Sequence, residues 1–187
     1  MDVLQQAHAR LEAGDLDAAR RMLESVPAAE RSSALWQYAR GTLALREGQP
    51  KVAQGFFEQA VATEPELADL RANLGAALLE QVKAGDRELL PRALAELEVA
   101  AQQPSPLPHV ENNLGTAKLA AGDAAGALAS FDRALEKDPQ HLPAHFNRAV
   151  ALHQLGRRDD AVKALEALLA LEPGFEPARQ ALRKLQS

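Results

Sequence analysis

"NNLGTAKLAAGDAAGALASFDRALEKDP", residues Asn112 to Pro139, holds no cysteine, no histidine and no phosphate-binding glycine loop, yet it decides the fold. Its fixed points recur along the chain. Small residues stand at Gly41, Gly75, Gly115 and Ala149, separated by 34, 40 and 34 positions. A second small series, Ala53, Ala93, Ala127 and Ala161, is separated by 40, 34 and 34, and Phe57, Leu97, Phe131 and Leu165 each follow one of those alanines by four. Pro65, Pro139 and Pro173 close three of the units, and Pro104 lies near the equivalent place in the other. Self-similarity at such a period marks a stacked repeat, in which each unit buries its apolar face only against its neighbours.

The order of these residues has a physical reading. A Gly or Ala on a first helix facing an Ala on a second lets the two backbones approach closely, and the Phe or Leu one turn on fills the space beside the crossing. Proline stops the second helix. "AAGD", Ala120 to Asp123, supplies a glycine to end one helix and an aspartate to cap the next.

A 34-residue period with this order resembles the tetratricopeptide repeat, in which each unit is two antiparallel helices. The resemblance runs from about Ala34 to Pro173. It implies an all-α fold, an α-solenoid of antiparallel helix pairs in a right-handed superhelix, with a C-terminal capping helix. The expected organisation is one domain, 1–187: a degenerate N-terminal pair over 1–33, with short helices and an early Pro27, repeats over 34–67, 68–107, 108–141 and 142–175, and a lone amphipathic helix over 176–187. The bulky aromatic places early in the first helices hold Gln37, Arg71, Glu111 and His145 instead, a departure from the family. Six residues beyond the regular repeat lie between Gly75 and Ala93, three on each side of Gly85. That is nearly one helical turn per side, so the third hairpin is expected to be taller, with Lys83 to Arg92 projecting.

Composition removes other classes. Aromatic residues are only 4%, hydrophobic residues 47% and charged residues 25%, the mixture of closely packed amphipathic helices. A net charge of −5 lacks the concentrated basic face that a phosphate backbone requires, so no nucleic acid is expected. Without cysteine there are no disulfides and no thiolate chemistry. No basic leader with an apolar run and no stretch of ~18 apolar residues is present, so no membrane insertion and a soluble, cytoplasmic chain are expected. "HLPAH" spaces His141 and His145 by four, but Pro143 and a helix start separate them, and Ser130 and Ser105 have no base by spacing. No catalytic residue, no metal and no cofactor are expected; the chain is not read as an enzyme.

The sharpest functional signal is Asn73, Asn113 and Asn147, each two residues before the small residue of its first helix and therefore in register. An amide offers both a donor and an acceptor, so such a ladder can bond the main chain of an extended peptide without reading its side chains. The resemblance implies the same, since similar ladders line the grooves of superhelical family members. Tyr38, Thr42, Leu45, Leu79, Thr116, Leu119, Phe146, Val150 and His153 fall at helical spacing on the same faces. The paired lysines of the family's chaperone-tail clamps are missing, with Tyr38, Asn112 and Phe146 on the corresponding surfaces; Arg71 and Arg148 remain as lone carboxylate contacts or helix-pairing groups. The expected function is a protein-protein interaction module holding a protein or peptide partner in a concave groove. The alternatives are a self-assembling homo-oligomeric scaffold, which light scattering at rising concentration separates from the first, and a regulatory subunit of a larger complex.

Overall fold

A computed structural model describes residues 2–103 and 106–186; Pro104 and Ser105 lie outside the described residues. The chain divides into two compact units, Met1–Ala100 and Ala101–Ser187. The first is built from α1 (Val3–Glu12), α2 (Leu16–Ser25), α3 (Ala34–Arg46), α4 (Pro50–Thr63), α5 (Ala68–Lys83) and α6 (Leu90–Ala101). The second is built from α7 (Pro108–Ala120), α8 (Ala124–Lys137), α9 (Leu142–Gln154), α10 (Arg158–Leu171) and α11 (Glu176–Gln186). In each unit consecutive helices pair, and successive pairs stack, α1 and α2 on α3 in the first and α7 and α8 on α9 in the second. No strand occurs among the described residues. The architecture is that of an α-solenoid.

The recurring small residues explain why the helices of a pair lie so close. A Cβ at Gly41 would fall 2.6 Å from Phe57 Cε1, at Gly75 2.5 Å from Leu97 Cγ, and at Gly115 2.5 Å from Phe131 Cε1. Each large side chain is fully buried and rests on the bare backbone of its glycine. In the fourth repeat Ala149 and Leu165 share a core cluster with Leu168 and Ala178. The alanines Ala53, Ala93, Ala127 and Ala161 are all fully buried. α11 caps this unit, adding Ala178 and the half-buried Leu182 and Leu185 to the same cluster.

Between the helices of a pair, the chain turns through a left-handed glycine. Gly122 has φ +86, its N–H donates to Leu119 O, and Asp123 N–H donates to Lys118 O, which satisfies the last carbonyls of α7. Asp123 Oδ1 then accepts from Gly126 N–H at 2.8 Å and caps α8; Asp15 does the same for α2 through Ala18 N–H.

The lengthened hairpin is only half as expected. α5 has 16 residues where α3, α7 and α9 have 13, so the ascending helix gains three residues. On the descending side the extra residues form a 3-10 turn, Arg87–Leu89, leading straight into α6. Asp86 makes no side-chain cap there. The exposed stretch between Lys83 and Glu88 is the tip of that hairpin.

The polar residues at the family's aromatic places have a shared role. Gln37 Nε2 donates to Arg31 O (2.9 Å), Arg71 Nε to Pro65 O (3.1 Å), His145 Nε2 bonds Pro139 O (2.8 Å), and Arg179 donates to Pro173 O. Each reaches back six residues and straps the loop that precedes its helix. Glu111 is the exception, because a carboxylate cannot donate to a carbonyl. It is buried instead in a two-pronged pair with Arg133, 3.0 Å from Nε and 2.9 Å from Nη2.

The two kinds of helical glycine differ in sign. Gly115→Ala gains ~1 kcal/mol of helix propensity but drives a methyl into the Phe131 ring, an overpacking cost of ~1–3 kcal/mol. Gly55, in the middle of α4, has nothing within 4 Å of a would-be Cβ. Urea unfolding should therefore show Gly115→Ala less stable and Gly55→Ala more stable than the parent, the latter by ~0.5–1 kcal/mol.

His141 gives a pH dependence. Its Nδ1 accepts from Ala144 N–H at 3.2 Å and caps α9, a bond only the neutral ring makes. Burial lowers its pKa; Asp138 opposes this, and His109 and His145 add to it. A depressed folded pKa means the stabilisation is present above the unfolded value of ~6.5 and is lost as pH falls through the folded one. The thermal midpoint should fall from pH 7 to 5.5, and His141→Asn, which keeps a capping acceptor without titrating, should flatten that fall.

Candidate functional site

In unit 2 the packing of α7 on α9 brings two of the expected residues, Asn147 and Thr116, together with Asn112. Asn147 Nδ2 donates to Asn112 Oδ1 at 3.0 Å and to Thr116 Oγ1 at 3.4 Å, and Thr116 Oγ1 itself donates to Asn112 O at 2.9 Å. Asn113, three residues before Thr116 on α7, is half-buried, and its amide has no hydrogen-bonded partner among the described residues. Neither Asn113 nor Asn147 has its Oδ1 bonded within the described chain. The amides in register thus differ: one is fixed by its neighbours and one is free. Both present an unoccupied acceptor.

Apolar and polar side chains flank this pair. Val150, four residues after Phe146, is half-buried, and His153 on the last turn of α9 is exposed. Leu119 is half-buried against Ala127, Phe131 and Ala151. Phe146 packs on Ala149 and Leu165, with its ring 5.9 Å from that of Phe175, so it joins the core on one side.

The expected residues of unit 1 fall elsewhere. Asn73 turns back on its own helix, donating from Nδ2 to Asp69 O at 2.7 Å. Tyr38 packs against Ala34, Ala60 and Leu70, with its ring 6.0 Å from His8 and 6.2 Å from Phe57. Burial, then the charge of Asp69, raises its phenol pKa and keeps it neutral. Leu45 and Thr42 are half-buried, whereas Leu79 belongs to the core, only 4% exposed. Arg71 and Arg148 are helix-pairing groups, 2.8 Å from Glu96 and 2.6 Å from Asp132.

Sequence reasoning passed over two features. Asn112 anchors Asn147, although it stands one residue outside the register that Asn73, Asn113 and Asn147 share. On unit 1, Arg40 lies with its guanidinium carbon 5.7 Å from the Trp36 ring centre and 5.4 Å from that of Phe56. Its register was the available signal, since Arg40 and Arg148 each stand one residue before a small residue of the repeat.

Two family models described as tetratricopeptide repeat match residues 4–53 and 118–185. Protein FlbA of Caulobacter vibrioides is 33% identical over 130 residues, 69% of this chain and 21% of FlbA. An FK506-binding protein-like protein of Rattus norvegicus is 38% identical over 73 residues, 39% of this chain and 21% of that protein. The chain therefore spans about a fifth of the length of these curated relatives. Among solved structures, a thermophilic tetratricopeptide repeat protein of Thermus thermophilus is similar with TM-score 0.82 and 18% identity over 98% of this chain and 97% of that one. YrrB, described as a tetratricopeptide repeat protein with an unusual peptide-binding site, gives TM-score 0.69 and 23% identity over 97% of this chain and 90% of its own. These likenesses concern the fold. With glycine-seated aromatic residues, proline-closed helix pairs and both family matches in agreement, the chain belongs to the tetratricopeptide repeat family.

Proposed function

We propose that the chain is a protein-binding module whose α7–α9 face holds an extended segment of a partner polypeptide. Proteins of this family generally serve as interaction modules. None of the described helices is long and apolar enough to cross a membrane, which suits a partner met in water. The observation that carries the reading is the pair of open amide oxygens at Asn113 and Asn147, on neighbouring helices, with Asn147 held in place by Asn112 and Thr116.

An oxygen fixed in this way accepts from a peptide N–H without a conformational cost at the moment of binding. Asn113 keeps its donors as well, so it can bond a peptide unit at both its N–H and its C=O. Each such bond contributes ~1 kcal/mol net; the half-buried Val150 and Leu119 beside them add apolar contact. The ligand is thus read through its main chain first, and side-chain preference comes from the apolar positions.

Peptides selected from a random display library on the full chain provide the ligand. Asn113→Ala should weaken their binding by ~1 kcal/mol, about fivefold, in calorimetric titration, with the thermal midpoint unchanged. Asn147→Ala should weaken binding similarly and also lower the midpoint slightly, because Asn112 loses its partner. Unchanged affinity in Asn113→Ala would refute the reading.

A further inference from the structure

Five arginines of the described chain are half-buried, namely Arg20, Arg40, Arg71, Arg133 and Arg148. Four of them hold a carboxylate, Glu47 at 2.7 Å, Glu96 at 2.8 Å, Glu111 at 2.9 Å and Asp132 at 2.6 Å. Arg40 holds none, and its Nε is buried without a hydrogen-bonded partner. The contrast with Arg148 is one of register. Arg148 reaches Asp132, the residue after Phe131 on the preceding second helix. At the matching step before Arg40, the residue after Leu23 is Glu24, which makes no ion pair with it. Trp36 is anchored there instead, Nε1 to Leu23 O at 3.0 Å, and Arg40 rests against the indole and against Phe56.

Arg31 brings a second cation to the same ring, its guanidinium carbon 5.9 Å from the Trp36 centre. It is fixed by two carbonyls, Nε to Val26 O (2.9 Å) and Nη2 to Glu24 O (2.7 Å), so its charge too meets no carboxylate. Trp36 and Phe56 meet edge to face at 5.9 Å and form a rigid apolar platform beneath Arg40. Two guanidinium groups held on one indole, both without a counter-charge, form a preorganised acceptor of anionic groups; guanidinium favours carboxylate through its planar fork of donors. At 100° per residue, Trp36 and Arg40 share one side of α3, and Tyr38 and Thr42 the opposite side.

We propose that Arg40 and Arg31, seated on Trp36, are a docking point for an acidic stretch of a partner polypeptide, on a face of unit 1 distinct from the side of α3 that bears Tyr38. Its occupant carries two or more closely spaced Asp or Glu side chains, one for each guanidinium.

Trp36 is the chain's only tryptophan and therefore reports directly on the site. The full chain is titrated with an end-blocked tetraglutamate peptide, its tetraglutamine counterpart and inorganic phosphate, following Trp36 emission and the indole N–H resonance. The expected result is a saturable shift with tetraglutamate alone, weakened about tenfold in Arg40→Gln, less in Arg31→Gln and not at all in Asn113→Ala. Equal binding by Arg40→Gln, or no response of Trp36 to tetraglutamate, overturns the proposal. An equal shift with phosphate at the same concentration also overturns it, since the site then takes a free anion rather than a polypeptide. Should Arg40→Gln fail to fold, Arg40→Lys, which keeps the charge without the planar fork, is expected to bind several-fold more weakly; parental affinity there is contrary.

Discussion

Everything in the structure depends on a large side chain seated on a bare stretch of helix backbone. Phe57 on Gly41, Leu97 on Gly75 and Phe131 on Gly115 set how closely the two helices of a pair approach. That separation fixes which residues of the first helix face inward and which remain at the surface. Non-directional burial alone would allow many helix arrangements. A ring that fits only where a Cβ is missing allows far fewer, and repeating the fit every 34 or 40 residues carries one geometry along each unit.

Polar groups then fix the connections. The donors at Gln37, Arg71, His145 and Arg179 each strap the preceding loop by a carbonyl six residues back. This accounts for the absence of the family's early aromatic residue: the place is used for a hydrogen bond instead of packing. Glu111 cannot take that role, and the loop before α7 receives a donor from elsewhere, Lys137 Nζ to Pro106 O. The buried Glu111 in turn is tolerable only with both its oxygens on Arg133, since an unpaired carboxylate there would be strongly destabilising.

Much of this was legible in the sequence because packing in a repeat is periodic. Gly115, Ala127, Phe131 and the turn at Gly122 could be read from spacing, and so could the three extra residues of α5. What spacing could not give was the fate of a polar side chain, which depends on the neighbour it meets. Asn73, Asn113 and Asn147 are equivalent in register, yet one bonds its own helix, one is open and one is clasped by Asn112 and Thr116. The descending half of the long hairpin was misjudged for a similar reason, because a 3-10 turn and an α-turn use similar numbers of residues. Arg40 and Arg148 also share a register, and only the intervening indole of Trp36 separates a helix-pairing arginine from one without a counter-charge.

The binding role we propose for this scaffold rests on what the packing leaves over: amide oxygens of Asn113 on α7 and Asn147 on α9 that no donor among the described residues uses. The most direct measurement is a crystal structure of the chain with a selected peptide bound. The account predicts an extended peptide along the α7–α9 face, with a main-chain N–H within hydrogen-bond distance of Asn113 Oδ1. A peptide seated away from α7 and α9, or held there through side chains alone with the Asn113 amide untouched, would contradict it.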